Sequence, residues 1–183
     1  MLAYVFWHVP RPDAAPHDYE SLHREFHAVL LRSNVNGLVR VRVHRLAAIP
    51  WLGGRAGYED WHQLEGSAAL DLLNRAAVSG MRQLPHDRIA ALADEGIAGL
   101  YGVRQGRPID PRIAYWMSKP AGMSYADFDA SLAPLVADGC CLWARRMTLG
   151  PTPEFCLHAP AARSLPHPAV AIETHAVQGE AAS

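Results

Sequence analysis

From Leu38 to Ile49 the chain alternates, with Val39, Val41 and Val43 on one side and Arg40, Arg42 and His44 on the other. A two-residue period of this kind predicts a strand with one apolar face. Upstream, Leu2 to His8 is a short aromatic and β-branched run halted by Pro10 and Pro12, which predicts a strand entering a loop. Between the two, Tyr19, Leu22, Phe26, Val29 and Leu30 recur at three and four residues, the spacing of an amphipathic helix with Asp18 as its cap and Asn36-Gly37 as its end. Further along, Gly57 to Leu64 predicts a strand, Ser67 to Ala77 a second helix, His86 to Ala93 a short helical piece and Ile97 to Val103 a fourth strand.

The order strand, helix, strand, strand, helix, strand is a ferredoxin-like unit over residues 1–105, an antiparallel sheet carrying its helices on one face. Gln105 to Pro111 has the turn chemistry of a connector. Residues 112–178 then follow the same plan in shortened form. Ala114-Tyr115-Trp116-Met117 echoes Ala3-Tyr4-Val5-Phe6, Tyr125 to Val136 parallels the first helix, Leu142 to Leu149 the second strand, and residues 154–158 the third. Pro160, Pro166 and Pro168 leave no room for a second helix before a last strand at Ala169 to His175. The expected fold class is therefore α+β: two ferredoxin-like βαββαβ repeats, the second degenerate, with their antiparallel sheets packed open face to open face as a barrel within one chain.

Composition narrows the partners. The 183 residues are 50% hydrophobic and 19% charged, enough to bury a core. A net charge of −1 argues against nucleic acid or an anionic membrane surface, which leaves a small-molecule ligand and a possible homodimer. Three cysteines, two adjacent as Cys140-Cys141 and the third at Cys156, form no paired framework and fit a reducing, cytoplasmic setting as buried thiols. The opening MLAYVFWHVP reads as strand rather than signal, and no apolar run approaches a membrane span.

The segment Tyr19-Glu20-Ser21-Leu22-His23-Arg24-Glu25-Phe26-His27-Ala28-Val29-Leu30, followed by Asn36-Gly37-Leu38-Val39-Arg40-Val41-Arg42-Val43, resembles the EthD family of the dimeric α+β barrel superfamily. Tyr58-Glu59-Asp60-Trp61 and Ala69-Leu70 resemble that family's later strand and helix. The family's helix usually ends Pro-Gly where this chain has Asn-Gly. The resemblance implies cyclisation, dehydration, isomerisation, decarboxylation or cofactor-free oxygenation of aromatic or polyketide-like compounds, with His27 as the matched histidine; fold alone does not choose among them.

Ten histidines are the abundance that bears on chemistry. His23 and His27 stand four apart on one helix face, within reach of one ligand. Their spelling, HREFH, lacks the glutamate adjacency of a zinc-protease helix. The plain structural account puts one ring in solvent and the other at the helix–sheet seam. Asp60 and His62 alternate onto one strand face, and His8 sits on a neighbouring strand. The expected catalytic residues are His27, His62 and Asp60, moving a proton by general acid–base chemistry. The expected substrate-binding residues are His8, Tyr4, Arg40, Arg42 and Trp61. Arg40 and Arg42 require Glu59, Asp60, Glu154 or an anionic ligand nearby, or else form an ion-pair network between the halves. Strand aromatics line a cavity or simply fill the core. No organic cofactor and no metal ligand set is assigned, and Gly99, Gly102 and Gly106 lack the context of a nucleotide loop. Two other readings stay open: a non-catalytic ligand-binding or assembly protein, and a haem or metal protein using His23, His27 or His62.

Overall fold

Pro16 opens the first helix, at a position where its missing N–H has no helical partner to lose. In the computed structural model, which describes residues 1–148 and 151–181, helix α1 (Pro16–Arg32) follows strand β1 (Leu2–Pro10). Ala15 rather than Asp18 is the N-cap, and Asp18 lies in the first turn, where its carboxylate faces the positive end of the helix. The return into β2 (Leu38–Ile49) bends through Asn34 and Gly37, both with positive φ. Gly37 is needed twice over, because a Cβ there would also lie 2.6 Å from the Cβ of Ala69.

The first half continues with β3 (Arg55–Leu64), α2 (Ser67–Ala77), α3 (Gln83–Ala90) and β4 (Ala93–Gln105). The second contains β5 (Ile113–Met117), α4 (Tyr125–Ala137), β6 (Cys141–Thr148), β7 (Phe155–Ala159), β8 (Val170–Glu173) and β9 (His175–Ala181). Helix α4 is capped by Ser124, whose hydroxyl accepts from the Asp127 amide. No helix lies between β7 and β8, where the prolines crowd. Leu149, the expected end of β6, falls outside the described residues.

Among the described residues, nine strands join one antiparallel sheet, in the order β8-β5-β7-β6-β4-β1-β3-β2-β9. The groups β4-β1-β3-β2 and β8-β5-β7-β6 have the same relative order and meet where β4 pairs with β6. The expected last strand is in fact two. β8 pairs with β5 at one end of the sheet, and β9, one residue later, pairs with β2 at the other. That switch curls the sheet into a nearly closed barrel, so the α+β barrel architecture expected from the pattern is the one found.

The sheet separates the core into layers. Val5, Trp7, Trp61, Tyr101, Trp116 and Trp143 fill the barrel interior. Outside, Phe26, Leu30, Val41, Val43, Leu64 and Leu73 pack α1 and α2 on the first half, and Phe128 and Leu132 pack α4 on the second. Trp7, Trp51 and Trp116 meet edge to face with ring centroids 5.1 to 5.4 Å apart, a geometry worth about 0.5–1.5 kcal/mol per pair beyond buried area. Glu59 sits among them fully buried, accepting hydrogen bonds from Trp7 Nε1 (2.7 Å) and Trp61 Nε1 (2.6 Å). Among the described residues, no helix is long and apolar enough to cross a membrane.

Candidate active site

Antiparallel pairing of β1 with β3 sets Tyr4 opposite His62, Phe6 opposite Asp60 and His8 opposite Tyr58. Side chains alternate across a strand, so all six point to the helix-covered face. Helix α1 crosses that face and presents Tyr19, His23 and His27 at four-residue spacing, on one stripe. Three elements thus converge on a cluster of four histidines around Asp60, every member of it buried.

The hydrogen-bond network assigns the protons. Tyr19 Oη–H donates to His8 Nδ1 (2.6 Å), and His8 Nε2–H donates to Asp60 Oδ1 (3.3 Å). His23 Nε2–H donates to Asp60 Oδ2 (2.8 Å). His27 Nδ1–H donates to the carbonyl of His23 (3.1 Å), which leaves His27 Nε2 to accept from His62 Nε2–H (3.2 Å). In this arrangement all four rings are neutral and Asp60 is ionised. Two ring lone pairs remain, on His23 Nδ1 and His62 Nδ1, and both atoms are buried without a hydrogen-bond partner.

Electrostatics favour an ionised Asp60 and neutral His8, His27 and His62. Burial pushes the Asp60 carboxyl up, but His23 and His8 outweigh it and hold the group well below the usual carboxylate range. Burial pushes His8, His27 and His62 down from the ordinary imidazole value, against the pull of Asp60. Tyr19 is pushed up, first by burial and then by Asp60, so its hydroxyl stays a donor.

A cavity of about 490 Å³ opens between the sheet and helices α1, α2 and α3. Phe6, Phe26, Leu30, Leu70, Leu73 and Ile89 supply apolar wall, while His8, His23, Asp60 and His62 supply a polar patch. Its size lies in the range of small-molecule sites.

The sequence-derived residues divide between the two faces of the sheet. Asp60, His62, His8 and Tyr4 line the cavity. His27 touches His62 and stands 3.6 Å from Asp60 Oδ2, yet it is fully buried and absent from the cavity wall. Arg40, Arg42 and Trp61 point the other way. Both arginines bind Asp110 on the connector, a partner outside the expected set of Glu59, Asp60, Glu154 or a ligand. Trp61 donates to Glu59 inside the barrel. Neither ring of the His23/His27 pair lies in solvent, contrary to the plain account, because Asp60 gives His23 a buried partner. His23 and Tyr19 are the residues that a catalytic reading of the sequence passed over; their four-residue spacing with His27 was the available signal.

No protein-family model matches the chain, and no curated protein matches it. Among solved structures it aligns with that of an anthrone oxidase-like protein over 99% of this chain and 93% of that one, with a TM-score of 0.58 and 11% identity. At that identity the likeness is one of fold: the chain has the architecture of a dimeric α+β barrel within a single polypeptide.

Proposed function

We propose that the chain is an enzyme of EthD-like type. It holds a flat, largely apolar aromatic or carbonyl compound in the helix–sheet cavity and withdraws a proton from it without an organic cofactor. Asp60 orients His23 and offsets the charge that its ring acquires, the role a carboxylate plays behind a catalytic imidazole. His23 Nδ1 accepts the proton, His62 Nδ1 offers a second acceptor, and His27 positions His62 from behind. Tyr4 and Phe6 offer ring faces to the substrate from the cavity wall. The observation that carries this reading is the His23–Asp60 hydrogen bond at the wall of an apolar cavity, beside an unpaired ring nitrogen.

The name of the structural neighbour suggests the first substrate to try, an enolisable tricyclic ketone such as anthrone. Turnover is followed by absorbance and by oxygen uptake. His23→Ala and Asp60→Asn are expected to lower kcat by about 10²–10⁴, the usual worth of a positioned base, with His27→Ala affected less. A fully active His23→Ala variant would overturn the assignment. The burial of both unpaired nitrogens favours one other reading, a ligand-binding protein; saturable binding of such compounds with no conversion would select it.

A further inference from the structure

We propose that His27, His62 and Asp60 form a site for one divalent first-row transition ion at the inner end of the cavity. His27 Nε2 and His62 Nε2 face each other at 3.2 Å, and Asp60 Oδ2 lies 3.6 Å from His27 Nε2. The ligand atoms of these three residues all lie within 4.8 Å of one another. An ion about 2.1 Å from each donor would see the two nitrogens at about 100° and His27 and the carboxylate at about 118°; His62 and the carboxylate stand farther apart, within 4.8 Å, so Asp60 and His62 must close on the ion by a fraction of an ångström to complete a tetrahedral set.

The surroundings hold these donors in place. The His23 carbonyl fixes the His27 ring with Nε2 forward, and His23 and His8 donate to the two Asp60 oxygens, the outer contacts that orient metal ligands. Filling the site costs the hydrogen bond between His27 and His62 and moves the His62 proton from Nε2 to Nδ1, so that both Nε2 atoms present lone pairs to the ion. A second grouping, His8, His23 and Asp60, is a poorer site. There both ring nitrogens nearest the carboxylate already donate to it, and the other nitrogen of His8 is taken by Tyr19.

Two imidazoles and one carboxylate select zinc, iron, cobalt or nickel over magnesium and calcium, which require oxygen donors. Asp60 and His62 are part of the cavity wall, so the open coordination position faces an oxygen of the bound compound, carbonyl or phenolate. The sequence left His27 and His62 as open metal candidates without joining them to Asp60, because the donors lie on two elements, with His27 and His62 separated by 35 residues. This site stands apart from the question of turnover.

The test uses the untagged chain, stripped with chelator, titrated with Zn²⁺ by calorimetry and with Co²⁺ by visible absorption. One ion per chain and the bands of tetrahedral cobalt are expected. His27→Gln and His62→Gln should each weaken binding at least about tenfold, while exposed His17→Ala leaves it unchanged. Circular dichroism checks folding; should His27→Gln fail to fold, His62→Asn removes the other imidazole. The absence of saturable binding, or undiminished affinity in the His62 variants, would overturn the site. Conversion of substrate by a protein that shows no saturable metal binding removes the site and keeps the enzyme; metal binding without conversion does the reverse.

Discussion

His23 and Asp60 lie 37 residues apart and meet at 2.8 Å across the seam between helix and sheet, and the same carboxylate receives His8 on its other oxygen. One buried side chain therefore ties α1 to both β1 and β3. Asp60→Asn keeps one acceptor oxygen and turns an amide toward the other ring. A loss of about 1–3 kcal/mol in unfolding free energy is expected, the cost of one unsatisfied buried group. Urea denaturation at pH 7 measures it, and an unchanged midpoint would show that the rings do not donate to this carboxylate.

Glu59 plays a corresponding part inside the barrel, where Trp7 and Trp61 both donate to it. Glu59→Gln leaves one indole N–H facing an amide NH₂. The expected cost is about 1–3 kcal/mol, accompanied by a change in near-ultraviolet dichroism as the indoles shift. A variant of native stability and spectrum would contradict the pairing.

Acid should destabilise the fold through His158. This ring packs 4.4 Å from Trp61 between centroids, neither of its nitrogens has a partner, and burial, aided by His44, pushes it down to about 3. The unfolded chain titrates near 6.5, so between these values the unfolded state takes up a proton that the folded state refuses. Stability is full above about 6.5 and falls toward pH 3, by at most about 1.4 kcal/mol per pH unit from this residue. Depressed His8, His27 and His62 act in the same direction. Asp60 adds its own loss only as pH falls through its lowered value. Melting temperatures from pH 7 to 4.5 should fall less steeply in His158→Phe than in the parent; parallel slopes would refute the assignment.

Gly57 lies against β1 where the site begins. A Cβ there would run into the His8 carbonyl oxygen and lie 2.8 Å from Ile49 Cδ1. Gly57→Ala should cost about 1–3 kcal/mol, since the backbone must shift to admit the methyl group. Calorimetry is expected to show a melting temperature lower by several degrees, with weaker ligand binding as His8 moves.

Much of the fold was legible because each half obeys simple periods. The Ser67–Ala77 helix has the expected bounds, as does the alternating strand Leu38–Ile49. β2 packs Val41 and Val43 against the helices and turns Arg42 to the other face, the separation of apolar and basic positions that its alternation predicts. What escaped was long-range pairing. Nothing local in Arg42 names Asp110, because the connector's path depends on how the barrel closes. The site was half legible for the same reason. Asp60 and His62 share a face by alternation, whereas choosing His23 over His27 for the cavity requires the rotation of α1 on the sheet, which tertiary packing sets. The expected substrate residues combine the helix-covered face of β1, Tyr4 and His8, with the opposite face of β2 and β3, Arg40, Arg42 and Trp61, and a sheet one strand thick cannot bring those together.

The switch of partners at Thr174 also protects the barrel's rims. β8 covers β5 and β9 covers β2, so the twelve residues 170–181 shield both of those edges and leave two shorter strands at the ends of the sheet. Deleting residues 170–181 would uncover two backbone edges at once, one on each half. The shortened chain should then self-associate, with fresh intermolecular strands replacing the missing pair, while remaining α+β by circular dichroism. Sedimentation would register this as loss of the parent's size distribution. The last two strands are, on this account, the molecule's defence against its own kind.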